Sequence, residues 1–164
     1  RMLLEEGAAA ADLFVILEGR LRATFSVDGT EMTLGIFQPG EVFTSMESFM
    51  LGAPSEYMIE AIDPSDVLLV PRERLERLLR EDPTLAFDLL AHHRRWLALL
   101  SRRVMDLLVS SPKERYLRFE REHPDLMEQL PLYMVASLIG VTPESRSRIR
   151  RRLTPRPVQP RRRG

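Results

Sequence analysis

The chain has 164 residues, 44% hydrophobic and 29% charged, the composition of an ordinary folded protein able to bury a core. No window reaches the roughly 18 consecutive apolar residues of a membrane span, and no apolar run of signal-peptide length follows Arg1, so a cytoplasmic protein with no membrane partner is expected. Cysteine is absent, which excludes disulfides, thiolate zinc sites, cysteine-ligated iron–sulfur clusters and a cysteine nucleophile within this segment.

The zero net charge conceals an asymmetry. Residues 1–85 carry 7 Arg/Lys against 16 Asp/Glu, and residues 86–164 carry 17 against 8. From Glu144 onward there are 9 Arg and one Glu. An acidic domain joined to a basic one that meets a polyanion is expected. The chain begins with Arg and not Met, so it is expected to be N-terminally truncated.

Residues 13–70 read as β. Leu21, Ala23, Phe25 and Val27 alternate with Arg22, Thr24 and Ser26, the period of a half-buried strand. Asp28-Gly29 is a hairpin turn signal, after which Met32, Leu34 and Ile36 alternate again. Gln38-Pro39-Gly40 is a second turn, and two short strands flank the turn at residues 63–66. Short strands with regular turns predict an antiparallel barrel or roll.

The period changes at Pro71. Leu75, Leu78 and Leu79 share one face of a short helix over residues 72–80. Pro83 opens a long helix to about Val109, in which Leu90, His93, Leu97, Leu100, Val104 and Leu107 recur at alternating spacings of three and four. That seam serves either a dimer or the inside of one globule, and its narrowness favours the dimer. Ser111-Pro112-Lys113-Glu114 predicts a capped helix start, the helix ending before Pro124 and a link running to Pro131. Residues 132–139 read as a short helix ended by Gly140. Thr142 would cap a second helix opened by Pro143 and continuing through Leu153. Helix, three-residue turn, helix is the spacing of a helix-turn-helix. The Pro- and Arg-rich residues 154–164 read as a basic, flexible tail.

This order, together with LFVILEG at residues 13–19, FQPGEVF at 37–43, Glu114-Arg115-Tyr116 and VASLIGVTPESRSRIRRRL at 135–153, resembles the Crp/Fnr-type bacterial transcription regulators. These are typified by the cyclic-AMP receptor protein and the fumarate-nitrate regulator. The resemblance implies an α+β chain. An N-terminal antiparallel β-roll, a cyclic-nucleotide-binding-like double-stranded β-helix, occupies residues 1–82. A long dimerisation helix occupies 83–110. A winged-helix-like helix-turn-helix domain lacking its wing occupies 111–164, with the tail in the wing's place.

The resemblance further implies that Glu144, Ser147 and Arg148 face the major groove, a set that shares one helical face at i, i+3 and i+4. Arg148 is suited to guanine O6 and N7, and Glu144 to cytosine N4. Thr142 and Ser145 join the DNA-facing set, and Arg150, Arg151 and Arg152 are suited to phosphates. The plainer reading of these arginines is a solvated basic helix end. Arg146 departs from the family, which has an inward Val or Leu there. The partners implied are double-stranded DNA, a second copy of the chain, and RNA polymerase.

At the sensor end the family's cyclic-nucleotide binders carry a Gly-Glu pair and an Arg-Ser pair, which map here onto Thr44-Ser45 and Ser55-Glu56. The phosphate-binding cation is gone and a carboxylate stands nearby, so cyclic AMP is not expected and no cofactor is assigned. Thr44, Ser45, Met46, Ser55 and Glu56 outline an effector pocket for an uncharged or cationic ligand. Alternatively Met46, Phe49 and Met50 fill a vestigial one. His92, His93 and His123 lie outside the roll, which argues against haem, and no metal site is assigned. His92 and His93 read as residues tolerated at the helix interface. No nucleophile–base pair or P-loop is present, so no catalytic residue is named and an enzyme is not expected. The competing function is an interaction module with a degenerate sensor and a tail that binds nucleic acid nonspecifically.

Overall fold

The computed structural model describes residues 1–141. The chain divides into two compact units, the boundary falling between Leu108 and Val109.

The first unit contains seven strands and three helices: β1 (Met2–Leu4), β2 (Asp12–Glu18), β3 (Leu21–Val27), β4 (Thr30–Phe37), β5 (Val42–Phe43), α1 (Met46–Leu51), β6 (Met58–Ala61), β7 (Asp66–Pro71), α2 (Arg72–Glu81) and α3 (Pro83–Val109). The strands pair antiparallel in two sheets, ordered β1-β6-β3-β4 and β5-β2-β7. Leu13, Phe14 and Ile16 from one sheet and Leu21, Ala23, Phe37 and Ile59 from the other form a single buried cluster, the core of the roll. The β3–β4 hairpin turns at Asp28-Gly29, whose φ angles of 50° and 74° are both positive, as a two-residue type I′ turn requires.

The strand alternation read from the sequence needs correction at two places. On β4 the fully buried positions are Thr33, Gly35 and Phe37, while Met32, Leu34 and Ile36 are only half-buried. The register slips here: Ala23 faces Gly35 but Thr24 faces Thr33, leaving Leu34 as a bulged residue. Gly35 faces inward because nothing larger fits. A Cβ there would lie 2.9 Å from the Phe37 ring and 3.4 Å from the Trp96 indole. On β3, Arg22 and Thr24 are buried along with Leu21 and Ala23. Arg22 is neutralised from both sides, by Glu60 of β6 at 2.5 Å and Glu31 of β4 at 2.8 Å. Burial works against its charge, yet the two carboxylates outweigh burial and hold its pKa above the ordinary value.

Two short helices and one strand lie where the sequence reading has none. Strand β1 precedes the expected roll, and α1 falls within the stretch read as β. Six residues give too few turns for a periodic signal. The helix is closed by Gly52 in the left-handed conformation at φ 75°. In the second unit α5 (Pro124–Gln129) replaces the expected link.

That second unit contains α4 (Pro112–Glu122), α5 and α6 (Leu132–Leu138). The capping box is present: the Glu114 amide donates to Ser111 Oγ and the Ser111 amide donates to Glu114 Oε2 at 2.7 Å. These bonds from Ser111 hold the Glu114 carboxyl below its ordinary pKa. Helix α6 ends in a Schellman motif. Gly140 has φ 64°, its amide donates to Ser137 O, and the Val141 amide donates to Ala136 O. Tyr116, Ile139 and Val141 are buried together.

Candidate functional site

The structure divides the expected effector residues. Thr44, Ser45 and Ser55 are almost fully buried, while Met46 and Glu56 are exposed. The buried hydroxyls are engaged by the fold. Thr44 Oγ1 donates to Asp12 O at 2.8 Å, and Ser55 Oγ donates to Tyr57 O at 2.6 Å. Tyr57, which the sequence reading missed, joins the group: its hydroxyl donates to Thr44 O at 3.3 Å and also bonds Ser45. Burial raises the Tyr57 pKa, with Glu47 and Glu56 adding to the rise, and outweighs the lowering by its hydrogen bonds. Of the three residues read as fillers of a vestigial pocket, Phe49 is buried, whereas Met46 and Met50 are exposed.

Beside this group stands an aromatic cluster. Phe37 and Phe43 stack with centroids 3.6 Å apart, and Tyr57 lies 6.2 Å from Phe43. Trp96 of α3 closes on both phenylalanines, at 5.2 and 6.0 Å. The long helix thus lies on the roll, fastened by polar contacts as well. His92 Nε2 meets the Val42 carbonyl at 2.9 Å. The guanidinium of Arg103 donates to the carbonyls of Leu34 and Thr33 at the β4 bulge. Burial lowers the Arg103 pKa. None of Trp96, His92 and Arg103 belongs to the expected seam. Their spacing of four and seven residues is itself a helical stripe, legible once the roll is known to cover it.

The expected seam occupies the neighbouring stripe of α3. Leu90, Leu97, Val104 and Leu107 are 45, 62, 48 and 44% exposed, while His93 and Leu100 are half-buried. Among the described residues of the first unit, an apolar row this open on a 27-residue helix is not core.

The expected DNA-facing residues Thr142, Glu144, Ser145, Ser147, Arg148, Arg150, Arg151 and Arg152 lie outside the described residues, as do helix 143–153 and the tail. The described residues end with the turn that would precede them, at Gly140 and Val141. Among the described residues no group of three or more His, Asp or Glu could hold a metal, and no helix is long and apolar enough to cross a membrane.

Residues 1–82 match the family model of the cyclic nucleotide-binding domain, and the chain belongs to that family. No match is found among curated protein sequences. Solved structures resemble it over 93% of its length. The c-di-GMP-responsive global regulator CLP of Xanthomonas campestris is 18% identical, with 82% of that chain covered and a TM-score of 0.78. A CooA variant from Carboxydothermus hydrogenoformans is 17% identical, with 71% covered and a TM-score of 0.75. The catabolite activator protein of Thermus thermophilus is 25% identical, with 74% covered and a TM-score of 0.56. The resemblance to Crp/Fnr-type regulators is borne out, and the fold and neighbours are those of regulatory proteins rather than enzymes.

The family's cyclic nucleotide does not fit this roll. Between Arg22 and Arg72 the chain has no Arg, Lys or His and eight Asp or Glu. Arg72, the cation that bounds this stretch, lies over the Phe49 ring at 5.2 Å and donates to Ser48 O. A cyclic phosphate brought to Ser55 would meet hydroxyls already donated to main-chain carbonyls and the Glu56 carboxylate beside them.

Proposed function

We propose that the chain is a homodimeric, DNA-binding transcription regulator whose roll does not take a cyclic nucleotide. The observation that carries the reading is the open stripe of Leu90, Leu97, Val104 and Leu107 on the long helix of a regulator fold. A second copy covers that stripe by the same seam, so the assembly carries two basic C-termini. Each contributes residues 143–153 as the recognition helix. Glu144, Ser147 and Arg148 read base edges, Arg150, Arg151 and Arg152 hold phosphates, and Thr142 and Ser145 sit at the DNA-facing start. The roll occupies residues 1–82, the dimer helix 83–110 and the DNA-binding part 111–164. The satisfied hydroxyls of Thr44 and Ser55 support a sensor without an anionic ligand.

Selection of binding sites from a randomised DNA pool, with wild type and Arg148→Ala at several salt concentrations, tests this. A palindrome with half-sites about 10 bp apart, and relaxed guanine preference in the variant, is the expected result. No enriched sequence, with equal loss for any arginine removed, leaves a counterion-release patch and favours the interaction-module reading.

A further inference from the structure

Arg115 lies on the first turn of α4, remote in sequence from the turn that closes α6, yet its side chain is spent on that turn. Nε donates to Ile139 O at 2.8 Å and Nη2 to Gly140 O at 2.8 Å, while Nη1 donates to Ser110 O at 2.5 Å. The last carbonyls of a helix have no intrahelical partner and carry the negative end of its dipole. The Schellman motif uses the amides of Gly140 and Val141 and leaves the carbonyls of Ile139 and Gly140 to be satisfied otherwise. A planar guanidinium meets both at once, and a lysine cannot. Ile139 and Val141 are buried beside it, so water is a poor substitute.

We propose that Arg115 is a positioning residue for sequence-specific DNA recognition. It touches no DNA, and it fixes the direction in which the chain leaves Val141 by clamping the two carbonyls of the turn. The inference rests on the DNA-binding reading above. Its chemistry differs from that of the basic C-terminus: the guanidinium keeps its charge, but its donors are taken up by main-chain carbonyls and not by phosphates.

The test uses the full chain and the DNA sequence that wild type selects, with Arg115→Ala, Arg115→Lys and Arg148→Ala. Arg115→Ala should weaken specific binding roughly 10- to 100-fold, the range for losing a charged hydrogen-bond partner. Nonspecific binding and its salt slope should stay at the wild-type value, and amide exchange at Gly140 and Val141 should quicken. Arg115→Lys should recover only part of the loss, while circular dichroism shows the helices retained. Unchanged specific affinity and unchanged exchange in Arg115→Ala would overturn the role of Arg115 alone. So would a parallel fall of specific and nonspecific binding that lysine restores in full. A wild-type chain that selects no sequence would overturn the DNA reading and the Arg115 proposal with it.

Discussion

The Arg103 guanidinium donates to the carbonyl oxygen of Thr33 at 2.7 Å, joining α3 to a strand seventy residues earlier. The bulge at Leu34 breaks the β3–β4 ladder there, and the guanidinium takes up carbonyls that the irregular register turns aside. Arg103→Met keeps the apolar stem and deletes the donor. It should cost about 2 kcal/mol, the penalty for leaving buried carbonyls unmatched. Urea unfolding followed by the emission of Trp96, the only tryptophan, measures it, and a loss near zero would mean that water replaces the contact.

Gly35 and Trp96 share one small space. Gly35→Ala places a methyl 2.9 Å from the Phe37 ring and should destabilise the roll by about 1–3 kcal/mol through overpacking. Combining it with Trp96→Ala, which vacates the space, should cost less than the two single changes summed. Strict additivity in thermal melts would show that the two residues are not coupled.

The open α3 stripe predicts a change of mass. Leu97→Glu with Val104→Glu puts two charges into the proposed seam, and sedimentation should report half the wild-type mass with the roll still folded. An unchanged mass would place the dimer contact elsewhere.

Tyr57 gives a pH signature. Its folded pKa is raised by burial, so the folded state holds this proton more tightly than the unfolded chain. The resulting stability is full below the unfolded tyrosine pKa, about 10. It is lost as pH rises through the folded value. Tyr57→Phe should flatten the alkaline fall of the melting temperature. A variant that melts like wild type at every alkaline pH would refute the assignment.

Cyclic AMP at a hundredfold excess over a micromolar chain should leave the melting temperature unchanged, because a ligand stabilises a fold only through binding to it. A rise of several degrees would mean that an anion is held despite the eight carboxylates and the missing cation.

Much of the architecture was legible in the sequence. Pro83 and the three-four spacing mark α3, which spans Pro83–Val109, and Ser111-Pro112-Lys113-Glu114 reads directly as the capping box that forms. The inward face of β4 was not legible, because its deciding residue is a glycine whose neighbours Phe37 and Trp96 meet only in three dimensions. Arg22 read as a solvent-facing residue because Glu31 and Glu60, which make its burial tolerable, lie on two other strands. The effector residues read from 44–56 came from the charge pattern alone, which does not show that Thr44, Ser45 and Ser55 lie in the interior while Met46 and Glu56 are exposed. Tyr57, which ties that stretch together, carried no periodic signal of its own.

Helix α3 presents Trp96 to the roll and Leu97 to the exterior, on adjacent residues of one rod. The Cα–Cβ bonds of adjacent residues on an α-helix are set about 100° apart by the backbone, so the two faces turn together when the helix turns. The helix therefore works as a shaft with two keyed faces. A roll of the helix itself about its axis carries the indole across Phe37 and the leucine row through the same angle.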